Sequence, residues 1–192
     1  MENISAYPIV SSLMIKGRAF TFRELGREDL SEMLALEELV IDDMEKKEDL
    51  RSVDQSVHIR RLNVGCTYGV FDEEGNLVSF YEHTFPEKDP QEKNLMEGHL
   101  PVEELSKVVY AARCVRHPSE QYQGYSLMAV LQQKILSVLS KKGYEYFCGT
   151  VAPGNIASQK SFEKNGATLL EVIRTYGDQV RNVMAGRIKR EE

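Results

Sequence analysis

Val108-Val-Tyr-Ala-Ala-Arg-Cys-Val115 is a nearly continuous apolar run. Such a run fits a central strand buried on both faces. It leads into Pro118-Ser-Glu-Gln121-Tyr-Gln-Gly124-Tyr-Ser126, and a helix-periodic segment follows at once. Leu127, Leu131, Ile135 and Val138 recur at helical spacing, and Met128, Val130, Leu136 and Leu139 widen the apolar face. Lys141 and Lys142 occupy the last turn and Gly143 supplies the stop. Strand, tight loop and helix in this order call for a sheet with helices packed on it. They also aim unpaired backbone N–H groups and the positive end of a helix dipole at one point, an arrangement suited to a phosphate. Residues Ser119 to Ser126 include no Lys or Arg, so main-chain donors would carry such a site. Glu120 would oppose an anion unless it points to solvent, and Gly124 allows a ligand close to the backbone. From this feature alone, an ordinary strand-to-helix turn is an equal reading.

The flanking sequence fills in the sheet. Residues 1–17 read as an N-terminal extension. Ala19–Leu25 alternates as a first strand, Arg27–Glu45 is helix-periodic, and a second helix covers roughly Val53–Leu62. Thr67–Phe71 and Leu77–Tyr81 flank Asp72-Glu-Glu-Gly-Asn76, a hairpin signal. The stretch 84–106 is polar, with Pro86, Pro90 and Pro101, and reads as a long excursion that is either functional or a solvated insertion. Tyr144–Val151 is the next strand, Asn155–Asn165 a short helix ending at Gly166, and Thr168–Arg174 and Val180–Ile188 the last two strands. Strands and helices alternate only in the middle of the chain. That predicts an α/β (α+β) architecture, a mixed sheet with helices on both faces, in one domain over 18–190.

A chain of 192 residues can bury a sizeable core. The net charge of −6 and the lack of a basic tract argue against nucleic acid as a partner. An acidic surface accepts a cationic small molecule more readily than an anionic one. Cys66, Cys114 and Cys148 are widely spaced and odd in number, which fits buried reduced thiols rather than a metal set. No apolar run is long enough to span a membrane, so a cytoplasmic protein with no membrane partner is the expectation.

Two motifs carry a family resemblance. Gln121-Tyr-Gln-Gly124-Tyr-Ser126 is similar to the Gln/Arg-x-x-Gly-x-Gly/Ala loop of the GNAT superfamily of acyl-CoA-dependent N-acyltransferases. Asn155-Ile-Ala-Ser158-Gln-Lys-Ser-Phe162-Glu-Lys-Asn-Gly166-Ala resembles the same family's Asn-x-x-Ala/Ser-x-x-x-Tyr/Phe-Glu-Lys-x-Gly-Phe segment. The likeness spans about residues 19–188. It implies a mostly antiparallel sheet of about seven strands and acetyl-CoA as co-substrate, with no metal. The amides of Gln121, Tyr122, Gln123, Gly124, Tyr125 and Ser126 would cradle the CoA pyrophosphate. The strand ending at Cys114 and Val115 would pair with pantetheine, and Asn155 and Ser158 would line its channel. A bulge in that strand, and its splaying from the 144–151 strand, would form the acyl slot. Phe162 departs from the family, where Tyr commonly protonates the departing thiolate; Tyr110 or Tyr146 could substitute.

The implied reaction is transfer of acetyl to a primary amine of a small molecule in a ternary complex. The alternative is a CoA-binding regulatory module without catalysis. Nucleotide-phosphate chemistry is disfavoured, because no Gly-x-x-x-x-Gly-Lys-Ser/Thr pattern is present. Candidate catalytic groups are Glu82 and His83, at the end of a hairpin strand, and Tyr110 on the central strand. Arg113 would bind either an acidic group of the acceptor or a structural carboxylate. Sheet-edge pairing through the C-terminal strands is a route to a homodimer.

Overall fold

The computed structural model describes residues 11–45, 50 and 52–189. Eight strands form one sheet: β1 (Ser11–Ile15), β2 (Arg18–Glu24), β3 (Cys66–Phe71), β4 (Leu77–Thr84), β5 (Val108–Arg116), β6 (Tyr146–Val151), β7 (Thr168–Thr175) and β8 (Gln179–Arg187). Their spatial order is β1-β2-β3-β4-β5-β6-β8-β7. Every pairing is antiparallel except β5 with β6. That one parallel pair is joined by helix α3 (Leu127–Lys141), the crossover that parallel neighbours need.

Two layers of helix cover the sheet. On one face lie α3 and α4 (Ile156–Lys164). Leu127, Leu131, Ile135 and Leu139 pack there against Phe22, Tyr68, Val109 and Phe147. On the other lie α1 (Leu30–Asp43) and α2 (Gln55–Val64), where Met33 and Leu36 meet Phe71, Phe80 and Val115. Asp54 caps α2 by accepting from the Ser56 amide at 2.8 Å. The 84–106 excursion is anchored, not merely solvated. Met96, with Leu95, Leu100 and Leu105, covers Val108, Tyr110, Cys148 and Ala185 on the α1–α2 side.

The strand absent from the sequence reading is β1. Its residues fell inside the presumed extension, yet Ser11–Ile15 pairs along β2, and Leu13 is buried. The joining turn is Lys16-Gly17, with φ of 50° and 79°. Two positive φ values in a two-residue loop match the twist of a tight hairpin. Lys at the first position hides the signal, because Asn or Asp is the usual occupant there. Residues 1–10 of the presumed extension lie outside the described residues.

Candidate active site

Strand β5 shapes the site. It pairs with β4 in regular register until Glu82 faces Arg113 and His83 faces Ala111, leaving Ala112 as an extra residue. This bulge twists the strand locally. On its other side β5 pairs with β6 only from Val108–Tyr146 to Tyr110–Cys148, and beyond that the two strands part. The bulge and splay implied by the family resemblance are both present. A cleft of ≈ 590 Å³ opens at the split. Its walls include Ala111 to Cys114 of β5, Thr150 of β6, and Asn155, Ser158 and Phe162 at α4. Gly149 is required at the split, since a Cβ there would lie 2.6 Å from the Phe162 ring and 2.9 Å from the Ala111 carbonyl oxygen.

The loop before α3 makes the tight turn its sequence predicts, with an addition. Glu120–Tyr122 forms a short 3-10 turn, and Glu120 is exposed. Gly124 takes φ of 77°, and Ser126 takes a left-handed φ of 54° just before α3. Tyr122 is buried and donates to Asp72 Oδ2 at 2.7 Å, locking the loop onto the β3–β4 turn. Burial first, and then the Asp72 carboxylate, push its phenol up to about 12. The fold also supplies the cations that the loop lacks. A Cβ at Gly124 would stand 3.7 Å from Lys16 Nζ. Arg18 donates to the Gln121 carbonyl at 3.2 Å, and Lys164 donates to Ser126 Oγ at 3.2 Å. Main-chain amides are therefore not the sole source of positive potential. The three cations come from distant parts of the chain, so no local signal revealed them.

Gln123, Asn155, Ser158 and Phe162 line the cleft, as does Cys114. Asn155 Oδ1 accepts from the Ser158 amide at 3.0 Å, capping α4 and fixing the entry of the helix. Burial pushes the Cys114 thiol up, which suits an inert thiol rather than a nucleophile. Cys66 and Cys148 are likewise pushed up by burial, each to about 12. Val115, by contrast, is buried under α1 and does not line the cleft. Its carbonyl already accepts from Ser79 Oγ at 2.8 Å.

The catalytic assignments change. Glu82 and His83 are fully buried, not exposed at a strand end, and neither lines the cleft. Side chains alternate along a strand, so these neighbours face opposite sides of the sheet. Glu82 lies beneath α2, where His58 Nδ1 donates to it at 2.7 Å and Arg61 Nη1 at 3.0 Å. Burial alone would raise its pKa, but the His58 hydrogen bond and charge, with Arg61, hold it below the usual carboxylate range. His83 faces the other core, its ring 4.5 Å from that of Tyr81, and burial lowers its pKa to about 3. A neutral histidine with so low a pKa is a poor base at neutral pH.

The Glu82 contacts belong to a wider ionic network. His58 Nε2 lies 3.2 Å from Glu37 Oε2. Burial opposes the charge on this imidazole, yet its bonds to Glu37 and Glu82 raise its pKa to about 9. Arg113 sits 3.3 Å from Glu37 and 3.9 Å from Glu82, which settles it on structural carboxylates while it also lines the cleft. Arg60 pairs with Asp89 and Glu92, and Arg61 with Glu92 at 3.2 Å, tying α2 to the excursion.

Tyr110 is buried at the split, and its hydroxyl meets Tyr176 Oη at 2.9 Å and Thr150 Oγ1 at 3.3 Å. Tyr146 points elsewhere, donating to Glu104. Sequence reading missed Tyr176, which occupies the β7–β8 turn. Nothing in a turn sequence places it beside a strand 66 residues away. Asp43 and Glu92 are the carboxylates that line the cleft, and both were missed for the same reason. Among the described residues, no group of His, Cys, Asp or Glu side chains is placed to hold a metal ion, and no helix is long and apolar enough to cross a membrane.

No family model matches the sequence, and a search of curated proteins finds no significant relative. Solved structures do match in fold. The ribosomal-protein-S18-alanine N-acetyltransferase of Escherichia coli superimposes with a TM-score of 0.66 at 14% identity, over 90% of this chain and 96% of that one. The GNAT domain of S. lividans PAT gives 0.65 at 17%, over 94% and 99%. A Salmonella typhimurium protein solved with its cofactor acetyl-CoA gives 0.62 at 13%, over 90% and 95%. With β5 bulged and splayed from β6 beside the N-terminus of α3, the chain has the GNAT acetyltransferase fold.

Proposed function

We propose that the protein is an acyl-CoA-dependent N-acyltransferase that moves acetyl from acetyl-CoA to a primary amine of a small molecule. The observation that carries this reading is the cleft at the β5–β6 split, which joins a cation-rimmed loop to an opening toward α1 and α2. The residues fit CoA. Lys16, Arg18 and Lys164 surround the loop that would take its phosphates, and the unpaired half of β5 offers backbone to pantetheine. Bound acetyl-CoA supplies an activated thioester. The protein then holds that carbonyl against the free backbone of β5 past the bulge, where an N–H can stabilise developing negative charge.

The acceptor end of the cleft is bounded by Val40, Leu50, Val53 and Val57, with Asp43 and Glu92 as acidic groups. An amine with an apolar body fits those walls. Glu82 serves this end indirectly, by holding Arg61 and Arg113 in place. Three free cysteines, of which Cys66 and Cys148 are buried, support a reducing, cytoplasmic setting. Leu169 and Val172, exposed on the edge strand β7, support pairing of two copies.

A second reading, a CoA-binding regulatory module, is favoured by the locked state of Glu82 and His83 and by Phe162 in place of Tyr. Calorimetric titration with acetyl-CoA, followed by thiol release with an amine panel, separates the two. Micromolar binding with turnover supports the enzyme, and binding without turnover on any amine supports the module. No binding of acetyl-CoA would overturn both.

A further inference from the structure

We propose that the Tyr176 hydroxyl is the acid that protonates the departing CoA thiolate, the task for which Phe162 has no proton. This rests on the acyltransferase reading above. Phe162 is buried, its ring 6.2 Å from that of Phe147 and pressed against Gly149. Two phenols line the same cleft: Tyr81 is buried in the core, whereas Tyr176 shares the walls with Thr150, Asn155 and Ser158. Tyr176 is 40% exposed, so solvent can exchange its proton.

Three features single out this side chain. First, its backbone is strained. Tyr176, Gly177 and Asp178 all have positive φ, at 51°, 76° and 77°. A bulky residue in the left-handed region is uncommon, and such strain concentrates at functional sites. Secondly, its hydroxyl is held from two sides, by Tyr110 Oη at 2.9 Å and Thr150 Oγ1 at 3.5 Å. Both partners flank the point where β5 and β6 separate. Thirdly, those partners suit a group that becomes an anion. Burial, with the neighbouring Tyr176, raises the Tyr110 pKa well above its ordinary value. Tyr110 therefore keeps its proton and can donate to a Tyr176 phenolate, as can the Thr150 hydroxyl.

The step balances. A bond forms between the amine nitrogen and the carbonyl carbon, and the carbon–sulfur bond breaks with its electron pair left on sulfur. The Tyr176 Oη proton passes to sulfur, the amine nitrogen loses its extra proton to solvent, and the phenolate regains one from solvent.

The test uses the full chain and its Tyr176→Phe variant, with CoA itself as the probe. Calorimetry gives CoA affinity, and ultraviolet thiolate absorbance gives the thiol pKa of the bound CoA. We expect affinity within about twofold and a thiol pKa about one unit higher in the variant, because a donor to the thiolate has been removed. With acetyl-CoA and an amine panel (a primary alkylamine, an amino-acid amide, a polyamine), kcat should fall about 10²-fold while the KM for acetyl-CoA stays put. An unchanged thiol pKa in the CoA-bound variant overturns the assignment. If the unaltered protein binds no CoA, the acyltransferase reading itself has failed.

Discussion

On the α3–α4 side of the sheet the site is made of loop backbone, small side chains and one capping amide: Gly124, Ser126, Asn155 and Ser158. On the α1–α2 side it rests on eight charged groups, Glu37, His58, Arg60, Arg61, Glu82, Asp89, Glu92 and Arg113, paired with one another. The first region uses local geometry, so its residues must stand at set spacings along the chain. The second uses long-range pairing, in which an acid on one element needs only a base on another. A ligand common to many proteins suits the first construction. An acceptor peculiar to one protein suits the second.

The comparison breaks most sharply at Gly124. Gly124→Glu should weaken CoA binding at least about a hundredfold, since left-handed backbone costs a non-glycine residue ~1–2 kcal/mol and a carboxylate beside phosphate adds repulsion of similar size. Calorimetry measures the affinity, and circular dichroism should show an intact fold. Unchanged affinity would remove the loop from the site. On the opposite face, His58→Ala strips the buried Glu37 and Glu82 of their shared partner. Breaking a buried pair in this way costs about 3–5 kcal/mol, readable in urea unfolding, while CoA affinity of the folded fraction should hold. A fall in affinity equal to that of the loop variant would mean the two regions are not separate.

The same network sets a pH response. His58 has a folded pKa of about 9 against an ordinary 6.5, so its contribution is complete below 6.5 and is lost as pH rises to about 9. Glu82 is shifted the other way, so its contribution is present above its ordinary 4.5 and is lost as pH falls through its lower folded value. Thermal melting should therefore show Tm declining between pH 6.5 and 9, and His58→Gln should flatten that limb. The smallest effect belongs to Lys16. Lys16→Ala should weaken CoA about two- to fivefold at low salt and less at high salt, as expected for one exposed cation. A salt-independent loss would mean that the hairpin turn, not the charge, matters.

What could be read from sequence follows the same division. The loop at 121–126, the stop at Gly143, the cap at Asn155 and the periodicity of α3 are local signals, and each is found in place. Seven strands were legible from apolar runs, whereas β1 was hidden by its single well-buried side chain, Leu13, and by Lys in its turn. Glu82 and His83 misled because a polar pair beside a loop looks exposed. Only the arrival of His58 and Arg61, 24 and 21 residues earlier, shows that Glu82 is a buried counter-ion. Tyr176 was invisible because the turn that carries it gains meaning only once β8 has brought it over Tyr110.

The extra residue at Ala112 has a consequence for anyone who compares or edits this strand. Below it, even-numbered side chains such as Val108 and Tyr110 face the α1–α2 side; above it, odd-numbered ones such as Arg113 and Val115 do. One residue thus reverses the parity of the strand and brings Tyr110 and Arg113 to the same side. Deleting it would shorten the chain by a single amino acid, restore regular alternation and leave both halves of β5 facing as they do now. An ungapped alignment to a relative without the bulge would misplace every site residue on one side of Ala112.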